Sequence, residues 1–360
     1  MVYKKSCYYE LCNRSHSRAS LRCAAVVILR QHLAEPTMKA RRFISSLLTS
    51  CALLLGATAA QAAYPEKPIT MIVAYGAGGS TDVTARMLAP FIEKYLGGGA
   101  RIVVMNRGGA GGEIGFAAIA DATPDGYTIG FINTPNVVTI PIERNARFTL
   151  DRLDPLVNVV DDPGIMTVHG DSPYKTVGDL VAQAKANPNT ITLGSTGVGS
   201  DDHLAMLLLQ RQANVRFTHV PFPGSAENYR SMLGRHTQIC GQNLGEGLRG
   251  KAGGDNIRIL GVMSTQRWDM APDLPTFKEL GYNITMASLR GIGAPKGLPP
   301  EIRAKLVDAV TKAANDPDFQ SKARDTYQPL RILDSEAFAA ELKELDGDFR
   351  NLWREFPWLK

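Results

Sequence analysis

Two short stretches hold the residues whose types and spacing could do chemistry. The first is Tyr75-Gly76-Ala77-Gly78-Gly79-Ser80-Thr81-Asp82. It follows a β-branched run at residues 69–73 and precedes a stretch whose Val83, Met87, Phe91 and Tyr95 share one helical face. A strand, a Gly-rich turn and a helix start in succession expose backbone N–H groups at the positive end of a helix dipole, a setting that favours an anion. The second is Ser195-Thr196-Gly197-Val198-Gly199-Ser200, which follows a strand-like run at 191–193 and opens a helix at Asp201. Such turns suit a nucleotide phosphate, a reacting oxyanion or the carboxylate of a solute.

The spacing removes the first two options. A dinucleotide fingerprint needs G-x-G-x-x-G, and after Gly76-Ala77-Gly78 the last position is Thr81. A third Gly-rich turn, residues 106–112, is spaced differently and reads as a tight, close-packed turn. No turn ends in G-K-[ST], and no G-x-S-x-G elbow offers a nucleophile. His169, His203, His219 and His236 match no zinc spacing. Neither a metal nor a cofactor is expected. His203, in the first turn of the helix after Gly199, is expected to hydrogen-bond that turn or line a cleft. Asp82 is expected to complement its helix dipole and tie down free N–H groups, and Asp201-Asp202 to do the same on the other helix. Arg290 is the one charge that could meet a second carboxylate of a ligand, the alternative being a surface or interlobe ion pair.

The elements that position these residues alternate between strand and helix patterns after Tyr64, which indicates an α/β fold with largely parallel sheets. Strands are expected at 69–74, 101–105 and 127–132, with a helix at 82–96 ended by Gly97-Gly98-Gly99. A second block adds strands at 165–168, 191–193, 217–220 and 257–263, and helices at 177–186, 201–212 and 226–233, the last capped by Ser225. A strand at 289–294 reads as a return to the first block, followed by helices at 299–314 and 335–354. The expected organisation is one lobe of 63–163 with 289–360, a second lobe of 164–288, and two crossovers between them. Ligands of such sheets bind beyond the carboxyl ends of strands, so two facing edges make a cleft that closes by hinge motion.

Residues 38–62 read as a signal peptide, with Lys39, Arg41 and Arg42 before an apolar run and Ala60-Gln61-Ala62 as the cleavage site. Cys51 offers a weaker lipoprotein box, and residues 1–37 read as a non-native N-terminal extension. The chain's 40 Lys/Arg and 35 Asp/Glu make it basic, yet beyond residue 62 it holds 31 basic and 33 acidic side chains, a net charge of −2. Nothing in that balance argues for nucleic acid. Cys240 is the one cysteine beyond the leader and reads as a small buried hydrophobe.

Taken in order, several motifs resemble the Bug/TctC family of periplasmic solute-binding proteins. They are Pro65-Glu66-Lys67-Pro68, Tyr75 to Asp82, Asn106 to Gly112, Asp125-Gly126-Tyr127-Thr128, Ser195 to Gly199 with His203-Leu204, His219-Val220-Pro221, Leu274-Pro275-Thr276, and Ala294-Pro295-Lys296-Gly297. The resemblance implies a type II periplasmic binding protein fold. It implies a small carboxylate solute held largely by backbone N–H groups, and delivery by a monomer to integral-membrane permease subunits. Carried onto this chain, the binding set is Tyr75, Gly76, Ala77, Gly78, Gly79, Ser80, Thr81, Asp82, Asn133, Ser195, Thr196, Gly197, Gly199, Ser200, His203, Phe222, Gly224, Gln242 and Arg290. The chain departs from the family pattern at Ala74, Ala77, Gly108, Phe222-Pro223 and Gln242. A sensory role at a membrane receptor would use the same closed lobes. A secreted enzyme would need a nucleophile–base pair or a metal cluster, and the sequence shows neither in recognisable form.

Overall fold

A computed structural model describes residues 64–359. The expected leader at 38–62, its Cys51 and the extension at 1–37 lie outside the described residues. Strand β1 (Ile69–Val73) is almost wholly buried and leads through the first Gly-rich turn into α1 (Ser80–Leu96). Gly97, at φ 68°, ends that helix and returns its N–H to Glu93 O. Then come β2 (Ile102–Asn106), α2 (Glu113–Ala120), β3 (Thr128–Asn133) and α3 (Asn136–Glu143). Strand β4 (Leu153–His169) is followed by α4 (Val177–Ala186), β5 (Thr192–Ser195), α5 (Asp201–Ala213), β6 (Thr218–Pro221), α6 (Ser225–Leu233), β7 (Ile239–Asn243), α7 (Leu244–Ala252) and β8 (Ile257–Val262). The chain ends with β9 (Ala287–Pro295), α8 (Pro300–Ala314), α9 (Pro317–Asp325), β10 (Leu330–Leu333) and α10 (Ser335–Glu355).

The strands run β2-β1-β3-β9-β4-β7-β5-β6, with β8 and β10 also on β4. Strand β1 lies parallel to β2 and β3, and β5 parallel to β6 and β7. The middle of the order is antiparallel: β9 against β3 and β4, and β4 against β7, β8 and β10. The expectation of largely parallel sheets is therefore corrected to mixed sheets. The reason is β4, which is far longer than the strand expected at 165–168. Its first part, to Pro163, pairs with β9, and from Gly164 onward it pairs with β7 and β8. One continuous strand thus carries the chain from one α/β layer to the other, and β9 carries it back.

Two apolar cores flank this pair. Met71, Val73 and Phe131 pack with Leu88 and Ile92 of α1 and with Leu306 and Val310 of α8. Val168, Leu193 and Ile239 pack with Leu180 of α4 and with Leu204 and Leu209 of α5. Cys240 is buried, as its small apolar character predicts. Thr176 and Asp179 form a capping box on α4, with Asp179 N–H donating to Thr176 Oγ1 at 3.1 Å. Helix α6 starts one residue earlier than expected, so its N-cap is Gly224 and Ser225 makes no cap. Among the described residues no helix is long and apolar enough to cross a membrane.

Candidate functional site

The first Gly-rich turn and the start of α1 stand at the carboxyl end of β1. Gly78 is left-handed at φ 84°. Its N–H donates to Asp82 Oδ2 at 2.9 Å. Asp82 also accepts from Arg86 Nε (3.0 Å) and from Asn106 Nδ2 (2.9 Å). Burial raises this carboxyl, but the bonds from Arg86, Gly78 and Asn106 outweigh it and hold it below the usual carboxylate range. The Ser80 N–H donates to Glu246 Oε1 at 2.9 Å. The N–H groups of Gly76, Gly79 and Thr81 have no acceptor among the described residues.

The third Gly-rich turn buttresses the first. A Cβ on Gly108 would stand 3.3 Å from Gly76 N, and one on Gly115 would stand 2.5 Å from Ala74 Cα. That turn is a packing device, as its spacing suggested.

The turn at 195–200 takes up most of its own donors instead, Val198 N–H excepted. Asp202 Oδ2 accepts from Thr196 N–H (3.1 Å) and its hydroxyl (3.0 Å). Gly197 N–H donates to Ser195 Oγ (3.2 Å) and Gly199 N–H to His203 Nδ1 (3.2 Å). Ser200 caps α5 by accepting from His203 N–H at 3.3 Å. His203 therefore hydrogen-bonds the turn, the first of its two expected roles. It stacks on His219, with ring centroids 4.1 Å apart. Burial pushes the His203 ring down to about 3, the neighbouring His219 adding to it, and pushes His219 down to about 4. Ser195 Oγ meets His219 Nε2 at 2.6 Å, a hydroxyl–imidazole pair the sequence spacing did not reveal. The hydroxyl is fully buried and off the cleft cavity, so the pair pins the turn.

The two layers meet closely along these turns. Ser80 reaches Glu246, Thr139 Oγ1 donates to Gly199 O at 2.9 Å, and Asn136 Nδ2 to Val198 O at 3.5 Å. Glycines permit the approach: a Cβ on Gly224 would stand 3.1 Å from Gly76 N, and one on Gly197 3.0 Å from Gly111 Cα. Between the turns lies a cavity of about 30 Å³. Of the expected residues, Tyr75, Gly76, Gly79, Ser80, Thr81, Asp82, Asn133, Thr196 and Arg290 line it. Ala77, Gly78, Ser195, Gly197, Gly199, Ser200, His203, Phe222, Gly224 and Gln242 lie off it. Gln242 donates to Thr167 Oγ1 at 3.0 Å behind the sheet. The sequence reading did not place Asn136, Asp201, Ser225, Asn243, Glu246 and Ser288 on this wall. Asp201 and Asn243 stand at helix starts, which was the available signal. A wider groove of about 490 Å³, walled by Val138, Leu150, Leu342 and Arg350, shares no residue with either turn.

Arg290 is buried on the floor of the cavity. Its two terminal nitrogens donate to Asp162 Oδ2 (2.7 Å) and Asn243 Oδ1 (2.9 Å). Burial disfavours its charge, but Asp162, Glu246 and Asp201 outweigh that and hold it protonated. Asn243 Nδ2 in turn donates to Asp201 Oδ2 at 2.7 Å. Burial pushes the Asp201 carboxyl up to about 6. The arrangement offers free N–H donors, fixed carboxylates and one paired guanidinium, which is the chemistry of holding a small polar solute.

Comparison with known proteins agrees. The profile described as "Tripartite tricarboxylate transporter family receptor" matches residues 84–331. A "UPF0065 protein in gbd 5'region" of Cupriavidus necator is 34% identical over 314 residues, covering 84% of this chain and 94% of that protein. Protein BugT of Bordetella pertussis is 34% identical over 264 residues, 72% of this chain and 78% of its own length. The solved periplasmic binding protein BugD superposes with a TM-score of 0.76 at 31% identity, over 81% of this chain and 98% of its own. R. palustris Rpa4515, solved with adipate, gives 0.75 at 25% identity, over 81% and 97%. The matched proteins are solute-binding proteins rather than enzymes, and the fold is theirs, two α/β lobes joined by two crossovers around a cleft. The chain belongs to the TctC family of tripartite tricarboxylate transporter receptors, the Bug/TctC periplasmic solute-binding proteins.

Proposed function

We propose that the protein, exported by its leader to the periplasm, captures a small carboxylate-bearing solute as a monomer. Closure of a lobe of 63–163 with 289–360 on a lobe of 164–288 encloses the solute, and the closed form delivers it to the permease subunits of a tripartite tricarboxylate-type transporter. The observation that carries this reading is the row of N–H groups at Gly76, Gly79 and Thr81. They stand at a helix N-terminus, border the cleft cavity and have no acceptor among the described residues. Each bond from such a group to a charged acceptor contributes about 1.5–3 kcal/mol, so the three together reach micromolar binding, near −8 kcal/mol, only at the upper end of that range. The adipate held by one structural neighbour belongs to the same chemical class. The handover of β4 at Gly164 supports the lobe division. A thermal-shift screen of mono-, di- and tricarboxylates tests the reading. Stabilisation by a carboxylate supports it, and binding of another solute class with no carboxylate response overturns it.

A further inference from the structure

The C-terminal segment meets the contact between the two layers through one carboxylate. Asn136, Thr139 and Glu143 lie at positions i, i+3 and i+7 of α3 and share one face. That face receives the turn at 195–200: Thr139 Oγ1 donates to Gly199 O at 2.9 Å and Asn136 Nδ2 to Val198 O at 3.5 Å. Glu143 completes it, since a Cβ on Gly199 would stand 2.7 Å from Glu143 Oε2. Glu143 is 7% exposed, and its two oxygens have separate donors. Arg144 Nη1 donates to Oε1 at 2.7 Å, and the Trp358 indole N–H donates to Oε2 at 2.5 Å. Trp358 is itself buried and stands edge-on to Trp353 of α10, with ring centroids 4.6 Å apart. The other end of α10 rests on the crossover strands. Ser335 Oγ donates to Leu156 O of β4 at 2.5 Å, and Phe338 fills the space that a Cβ on Gly291 of β9 would need. This helix of 21 residues, about 30 Å long, thus runs from the crossover to the contact at Gly199.

A carboxylate oxygen needs a donor once water is shut out. With the turn seated on α3, Trp358 is the one donor to Glu143 Oε2 among the described residues. Burial already pushes the Glu143 carboxyl up, against the pull of Trp358 and Arg144. Without the indole, closing strands an ionised oxygen against Gly199, whereas opening gives it water. The indole bond therefore favours the closed arrangement over the open one. Resting on the lobe closure proposed above, we infer that Trp358 is a positioning residue for closure: it keeps the Glu143 carboxylate satisfied beneath Gly199, and so ties the C-terminal segment to the opening and closing of the cleft.

Small-angle scattering on the solute-free full chain tests this. Trp358→Phe keeps an aromatic ring and deletes the N–H, and its radius of gyration is expected to exceed that of wild type. Trp358→Phe with Glu143→Met removes the stranded oxygen as well, while Arg144 keeps its bonds to Glu113 and to Ala110 O. The double variant should therefore return toward the wild-type radius. A purely structural Trp358 would lower stability in both variants and change the radius in neither. Gly199→Ala, which drives a Cβ against Glu143, opens the contact directly and serves as the control. A wild-type radius in Trp358→Phe beside a raised one in Gly199→Ala overturns the positioning role and leaves lobe closure standing. A raised radius that the double variant does not recover overturns the assignment to Glu143. Wild-type radii in both Trp358→Phe and Gly199→Ala unseat the positioning role and the lobe closure together. Should Trp358→Phe fail to fold, hydrogen exchange of the Trp358 indole proton decides. Gly199→Ala should speed that exchange at least tenfold, and an equal rate in wild type and variant overturns the inference.

Discussion

Ser80 and Glu246 stand 166 residues apart in sequence and are joined by a hydrogen bond of 2.9 Å, backbone N–H to Oε1. Ser80 opens α1 on one side of the cleft and Glu246 sits in the first turn of α7 on the other. The protein's own carboxylate thus takes one of the N–H groups that a helix N-terminus offers to anions. A bond to a charged acceptor contributes about 1.5–3 kcal/mol, enough to shift a closed-to-open ratio about ten- to a hundredfold. Glu246→Ala is therefore expected to open the solute-free protein, read as a larger radius of gyration by small-angle scattering. Glu246→Gln keeps an acceptor oxygen and should fall between. An unchanged radius in both variants would show that other contacts hold the lobes together.

Arg290 and Asp162 form a buried ion pair at 2.7 Å, at the junction of β9 and β4. Removing one member strands a buried charge, at a cost of about 3–5 kcal/mol. Arg290→Met should lose stability on that scale in chemical denaturation, whereas Arg290→Met with Asp162→Asn should recover much of it. A double variant no more stable than the single one would mean that the pair does not act as a unit.

Gly115 packs α2 directly on β1. A Cβ there would stand 2.5 Å from Ala74 Cα and 2.9 Å from Arg107 O, both backbone atoms with little room to yield. Gly115→Ala is expected to cost about 1–3 kcal/mol and to weaken solute binding, because Ala74 leads into the turn at Gly76. Full stability in a melting experiment would refute this packing account.

The stacked imidazoles of His203 and His219 predict an acid response. Both titrate near 6.5 when unfolded, whereas burial holds the folded rings neutral to about 3 and about 4. The unfolded chain therefore binds more protons below 6.5, and stability from this pair is lost as pH falls from 6.5 toward about 4 for His219 and about 3 for His203. Asp201 acts in the opposite sense. Its carboxyl is raised from 3.8 to about 6, so its contribution is present at low pH and lost as pH rises through that window. Imidazole NMR separates the two, and a His219 midpoint near 4 is expected. A midpoint near 6.5 would place the ring in water.

Much of the fold was legible before any coordinates. The amphipathic stretch at 177–186 and the Gly97 stop are local signals, and α4 and α1 appear at those places. Helix α3 was missed because Pro141 interrupts its pattern, and β10 because four residues carry little periodicity. Strand β4 was read as its last third, since Asp161, Asp162 and Pro163 look like a break. They are tolerated in the strand because Asp162 is paired with Arg290 and Asp161 with Arg331.

The sequence by itself determined the alternation of strands and helices, the two turns that open α1 and α5, and the family they belong to. These follow from hydrophobic period and turn chemistry, which are properties of neighbouring residues. Only the tertiary structure decided which N–H groups remain free. The turn at 195–200 looks in sequence like a second anion cradle, but Asp202, Ser195 and His203 fold back and occupy its donors at Thr196, Gly197 and Gly199. The turn at 75–82 keeps the donors of Gly76, Gly79 and Thr81. Asp201, Asn243 and Glu246 join it on one wall only because β4 and β9 bring the two layers face to face. Such meetings depend on contacts between distant parts of the chain, which no local pattern encodes.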